Sequence, residues 1–184
     1  MEAFWEQFPI IATERLVLRE LRTDDAPALH ALFSDPDMMR YWGTPHDSLA
    51  RTEAMIASIS EAYRERRGIE WAVTFETTGE VIGKVCHHRL MRDHFRSEIG
   101  YILAKQHRGQ GFIHEALRAV IAFGFAALKL HSIEAQLDPE NVRSARLLER
   151  LGFVKEAHLK ENYFVHGGFV DTAIYSLLAS STSR

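Results

Sequence analysis

The chain has 184 residues, 46% hydrophobic and 26% charged, with 22 Lys+Arg against 25 Asp+Glu and a net charge of -3. That balance suits one globular domain over 1–184 with a real core, and it excludes a disordered chain. It also lacks the basic surplus of a general nucleic-acid binder, so no nucleic-acid partner is expected. Cys86 is the single cysteine, which rules out an intrachain disulfide. Met1–Ile10 has neither the basic nor the apolar region of a signal peptide, and no apolar run approaches the roughly 18 residues of a membrane span. The expectation is a soluble, cytoplasmic protein with no membrane partner.

In chain order, Arg15–Leu21 alternates apolar and charged residues as a half-buried strand does. Thr23 and Asp24 offer an N-cap for a helix to about Phe33, which Asp35-Pro36-Asp37 ends. Ser48–Arg67 reads as a second helix stopped by Gly68. Strands over Glu70–Glu76 and Glu80–Leu90 follow, joined at Thr78-Gly79. Ser97–Ala104 is another strand and leads into a glycine-rich passage, Gln106–Gly111. The apolar stripe Phe112, Ala116, Leu117, Val120, Ile121 and Leu128 marks a helix face. Ser132–Leu137 is a strand, Asn141–Leu151 a short helix, and Phe153–Phe164 with Val170–Leu178 two closing strands around Gly167-Gly168. A strand–helix–strand crossover in the middle requires a parallel pair. The fold class is therefore α/β: a mixed central sheet of about seven strands, parallel in the middle, flanked by about four helices.

The turn Lys105–Gly111 carries the most chemistry. It joins a strand to a helix and has two glycines one residue apart. Backbone N–H groups of such a turn converge with those of the first helical turn, where the helix dipole also favours an anion, so the place suits a phosphate. The plainer alternative is a tight connection with no ligand. ATP, GTP and NAD are poorly supported, because there is no G-x-x-x-x-G-K-[ST] and Gly109-x-Gly111 lacks the third glycine of G-x-G-x-x-G.

Gln106-His107-Arg108-Gly109-Gln110-Gly111 after an apolar strand resembles motif A, Q-x-x-R/G-x-G/A, of the GCN5-related N-acetyltransferases. Glu98-Ile99-Gly100-Tyr101, His114-Glu115-Ala116-Leu117, Asn141-x-x-Ser144-x-x-Leu147-Leu148, Thr13-Glu14-Arg15-Leu16 and Gly168-x-Val170-Asp171 are similar to the RimJ/RimL branch, the ribosomal-protein N-terminal acetyltransferases. The resemblance spans about residues 11–178. It departs at Gln106-His107-Arg108, where that branch often has an aromatic pair. It implies the GNAT fold and acetyl-CoA as acetyl donor, with no metal. It implies that main chain around Ile102, Leu103 and Ala104 receives the thioester and pantetheine, and that Arg108, Gly109, Gln110, Gly111, Phe112 and Ile113 hold the pyrophosphate. Asn141 becomes a cofactor contact, Ser144 the acid that protonates the thiolate, and Glu98 the base, acting directly or through water. The implied acceptor is a protein N-terminal amine, such as that of a ribosomal protein. A small-molecule amine (polyamine, amino acid or aminoglycoside) and a non-catalytic CoA-binding protein are the alternatives, and the C-terminal edge strands suit a homodimer.

Each residue has a plainer reading too. Asn141 is a good helix N-cap with Ser144 in the same turn. Glu98 lies in a central strand, where a carboxylate is costly unless paired, for instance with Arg89 or Arg92. Tyr175 suits packing in the last strand. His87 and His88 are adjacent and point to opposite faces, which argues against a metal pair. Cys86 suits a small core position.

Overall fold

The computed structural model describes residues 3–165 and 167–182. Eight strands form one sheet in the order β1-β2-β3-β4-β5-β6-β8-β7. They are β1 (Ile11–Ala12), β2 (Leu16–Glu20), β3 (Ile69–Phe75), β4 (Val81–Met91), β5 (Arg96–Leu103), β6 (Ser132–Leu137), β7 (Val154–Val165) and β8 (Gly168–Leu178). All neighbours pair antiparallel except β5 and β6, the expected parallel pair, which the helix α4 (Phe112–Ala126) connects. The other helices are α1 (Ala26–Phe33), α2 (Pro36–Met39), α3 (Leu49–Arg64) and α5 (Val142–Arg150).

The sheet has one strand and the chain one helix more than the sequence suggests. The additional strand is the two-residue β1. The additional helix, α2, begins where Asp35-Pro36-Asp37 was read only as a break. The Asp35 carboxylate accepts the N–H groups of Asp37 and Met38, and Pro36 opens the helix. One tripeptide thus stops α1 and starts α2, because a proline that cannot continue a helix can begin one. His166, next to the turn expected at Gly167-Gly168, lies outside the described residues.

Strand alternation divides the core between the two faces. Trp71, Val73, Val85, Ile99 and Leu103 pack with Leu117, Val120 and Ile121 of α4 and with Leu147 and Leu148 of α5. Ala72 and Ile102, one residue out of phase, face Leu29 and Phe33 of α1, Met38 and Met39 of α2 and Ile56 of α3. Tyr175 is buried in the first cluster, as a packing residue should be.

His87 shows how burial and hydrogen bonding fix a protonation state. It is fully buried, with Nδ1 2.8 Å from Ser97 Oγ and Nε2 2.9 Å from the Val120 carbonyl. A carbonyl only accepts, so Nε2 carries the hydrogen and Nδ1 accepts from the serine. Burial pushes His87 down to about 4, against the pull of the Val120 carbonyl. An unfolded histidine titrates near 6.5, so the folded state holds the proton less tightly. The stability contributed by the neutral ring is complete above about pH 6.5 and is lost as pH falls toward 4, by about 3 kcal/mol at about 1.36 kcal/mol per unit. An NMR titration should find the His87 ring neutral at pH 5.5. A midpoint near 6.5 would overturn this.

Candidate active site

The site is made by two strands that part company. β5 and β6 pair only through Arg96↔Ser132, Ser97↔Ile133 and Glu98↔Glu134. β5 then runs on to Leu103 and β6 to Leu137 without further pairing. A cleft of about 190 Å³ opens in the gap, lined by Glu98, Gly100 and Tyr101 from β5, by Gln136 and Leu137 from β6, and by Asn141 and Ser144 at the start of α5. Tyr41 and Trp42, in the connection after α2, form its aromatic wall.

On β5 the Ala104 N–H donates to the Ile82 carbonyl of β4 at 2.9 Å. Alternation then turns the peptide groups of Tyr101 and Leu103 the other way, toward the gap. Ile102 buries its side chain in the α1–α3 cluster, and its paired position on β4 is Lys84. Leu103 is the member of the trio Ile102, Leu103 and Ala104 whose main chain faces the opening.

The glycine-rich turn follows directly. A short 3-10 turn, Lys105–His107, leads to Gly109 at φ +77° and Gly111 at φ +84°. Both values lie in the left-handed region that a side chain disfavours. Gly111 is the N-cap of α4, and no side chain among the described residues caps it. The N–H groups at Phe112 and Ile113 are therefore left for an anion, as at any uncapped helix start. Arg108 folds back, its Nε 3.2 Å from the Leu103 carbonyl, while Gln110 Nε2 donates to the Gln106 carbonyl at 3.0 Å. The turn thus fits the polyphosphate of coenzyme A, and the parted strands fit an extended arm with amide groups.

Arg15 and Glu115 brace this turn, a role that their spacing of 100 residues conceals. Arg15 Nη1 donates to the Gln110 carbonyl at 3.0 Å, its guanidinium meets Glu115 at 2.7 Å, and it lies 4.4 Å over the Phe112 ring. Thr13 Oγ1 donates to the same carboxylate at 2.6 Å. All three residues sit in segments similar to the family pattern, and that was the only available signal.

Asn141 caps α5, its Oδ1 accepting the Ser144 N–H at 3.2 Å, while both residues also face the cleft. Glu98 is likewise paired and placed at once. Its carboxylate lies 3.0 Å from Arg89 Nη1 and 3.2 Å from His88 Nε2. Burial pushes Glu98 up, but His88 and Arg89 outweigh it and hold the carboxyl below its ordinary range. Burial also disfavours a charged His88, yet Cys86 and Glu98 lift it to about 10. Arg89 adopts φ 47° at the bulge where β4 slips against β5. Arg89 is one of the two arginines the sequence offered as a partner for Glu98, and the structure pairs them; His88 had no place in the sequence-based site, because a contact across strands decides its role.

Among the described residues no group of three or more His, Cys, Asp or Glu side chains could hold a metal ion. No helix is long and apolar enough to cross a membrane.

Comparison with known proteins places this geometry. Residues 15–154 match the acetyltransferase (GNAT) domain family. The chain is 38% identical over 172 residues to the uncharacterized N-acetyltransferase YoaA of Bacillus subtilis (strain 168), covering 93% of this chain and 97% of that one. The structure of spermidine N-acetyltransferase from Vibrio cholerae, in complex with CoA and spermine, superposes with a TM-score of 0.82 at 27% identity, over 92% of this chain and 98% of that one. RimL, a ribosomal L7/L12 alpha-N-protein acetyltransferase in complex with coenzyme A, has the same fold, with a TM-score of 0.86 at 18% identity over 94% and 99%. The parted strands, the glycine turn on an uncapped helix and these likenesses agree: the chain belongs to the GNAT acetyltransferases, enzymes that use acetyl-CoA to acetylate an amine.

Proposed function

We propose that this N-acetyltransferase acts on the α-amine at the N-terminus of a peptide or protein. The observation that carries the reading is the charge balance where the strands part. Glu98 and Glu134 stand side by side there, and each already holds an arginine, Arg89 and Arg96. A polyamine with several positive charges gains most from unpaired carboxylates, whereas a single α-amine needs one. The likeness to a spermidine N-acetyltransferase supports the second reading, a polyamine acceptor, and the aromatic wall of Tyr41 and Trp42 suits either cation.

The proposed roles follow from position. Acetyl-CoA supplies an acyl group on a thiol leaving group. Peptide groups around Ile102, Leu103 and Ala104 receive the thioester end, with the Leu103 N–H polarising the carbonyl. Arg108, Gly109, Gln110, Gly111, Phe112 and Ile113 hold the pyrophosphate through main-chain N–H groups, and Asn141 contacts the arm. Glu98 draws the ammonium proton and passes it to water, since a carboxyl held this low retains a proton only briefly. Ser144 gives a proton to the departing thiolate.

The deciding experiment incubates the protein with acetyl-CoA and two acceptor sets: short peptides with free or blocked N-termini, and spermidine. Mass spectrometry should find a mass gain of one acetyl group on free-amine peptides only. Faster acetylation of spermidine would overturn the α-amine reading in favour of the polyamine. Binding of CoA with no acetylation in either set would leave a binding protein and overturn the catalytic reading.

A further inference from the structure

The floor of the cleft carries a chain of polar groups that strand register assembles. Cys86 and His88 stand two residues apart on β4, and their partners on β5 are Gly100 and Glu98. Residues two apart on a strand share a face, so all four meet on one side of the sheet. His88, Glu98 and Gly100 line the cleft, and Cys86 is buried against them. The His88 ring lies between two partners: Nε2 is 3.2 Å from Glu98 Oε1 and Nδ1 is 3.4 Å from Cys86 Sγ. The thiol in turn is 3.5 Å from the Gly100 carbonyl, to which it can donate. Gly100 leaves the room this requires. A Cβ there would sit 2.9 Å from Cys86 Sγ and 3.3 Å from His88 Cε1, too close for the thiol and ring to stay where they are.

Both ring nitrogens are therefore engaged, and neither is left to take a proton from an acceptor amine. A carboxylate only accepts, so Nε2 carries the hydrogen of the Glu98 contact whether the ring is neutral or charged. We propose that His88 is the positioning residue for Glu98: its ring, packed against Cys86 and Gly100, holds Oε1 and fixes where the carboxylate meets the amine. This deepens the reading of Glu98 as the base and rests on it. The other oxygen faces Arg89 at 3.0 Å, but that side chain is 61% exposed. Arg89 thus supplies charge, which solvent screens, more than it supplies aim. Two contacts leave the carboxylate with free lone pairs for the ammonium proton. Glu98 takes that proton and releases it to water, while His88 keeps its own throughout.

The test measures turnover of the whole protein at pH 7, per folded molecule, with acetyl-CoA and the acceptor that turns over fastest in the panel above. His88→Ala should lower kcat by about 10- to 50-fold with the KM for acetyl-CoA unchanged, as expected for a base that is badly aimed. His88→Phe, which fills the space without a donor, should lose as much and serves if the alanine variant does not fold. His88→Gln, which can place an amide N–H where Nε2 stood, should recover most of the loss. In a Glu98→Gln background His88→Ala should cost less than about 2-fold more, because the histidine acts only through the carboxylate. Full multiplication of the two losses would make His88 independent of Glu98 and overturn the proposal. So would His88→Ala and His88→Phe variants as fast as wild type. A His88→Gln variant no faster than His88→Ala would leave ring charge, and not aim, as the property that matters, which also overturns it. Failure of the base reading looks different: Glu98→Gln itself would turn over like wild type, and the positioning role would fall with it.

Discussion

Gly109→Val and Gly111→Val are expected to abolish coenzyme A binding while the domain stays folded. The reason is backbone conformation more than space. At Gly109 an added Cβ meets nothing within 4 Å, but φ is +77°, which is close to forbidden for a β-branched residue. At Gly111, φ is +84° and the Cβ would sit 3.3 Å from Arg15 Nη2, the guanidinium that braces the turn. Either valine turns the turn's N–H groups away from their common point. Wild-type protein with acetyl-CoA at ~100 times its dissociation constant should gain about 2.7 kcal/mol, which for a domain of this size is roughly 5–10 °C in melting temperature. NAD should give no shift. The valine variants should melt as cooperatively as wild type without ligand and lose the acetyl-CoA shift. A retained shift in both would move the polyphosphate site elsewhere.

Glu98→Gln should lower turnover at pH 7 by on the order of 100-fold and recover part of the loss as pH rises. The variant keeps the shape of the side chain and loses its charge. An α-amine titrates near 8, so alkaline solution supplies the free amine that the carboxylate otherwise helps to produce. The variant's rate should climb toward pH 9 while wild type flattens earlier. A polyamine or lysine-like acceptor, with an amine near 10.4, would shift the climb to higher pH. Glu98 also holds His88 and Arg89, so the comparison must be made per folded molecule. A pH profile identical to wild type would make Glu98 a structural partner of those two cations and no more.

Much of this protein was legible in the chain itself. The alternation in Arg15–Leu21, the turn at Thr78-Gly79 between two strands, the stripe on Phe112–Leu128 and the strand–turn–helix around Gly109 and Gly111 depend on local periodicity and local φ, which sequence encodes directly. The same locality explains why Asn141 could be read as a cap and Ser144 as its neighbour three residues on. Even where local reading fell short, at Asp35-Pro36-Asp37, the capping residue and the proline were visible and only their double use was not.

Tertiary structure decided what lies across strands. That β5 and β6 separate after Glu98↔Glu134 cannot be read from either strand, because separation is a property of their pairing. The partners of Glu98 come from β4, Arg89 by way of a bulge that carries a left-handed residue, and register alone determines which side chains meet there. Tyr101 of β5 and Ser144 of α5 come to line one cleft only because the fold sets the start of α5 beside the parted strands. Arg15 reaches the glycine turn from 95 residues away. Sequence supplied the groups able to grip an anion and move a proton. The parting of two parallel strands placed those groups around one cleft.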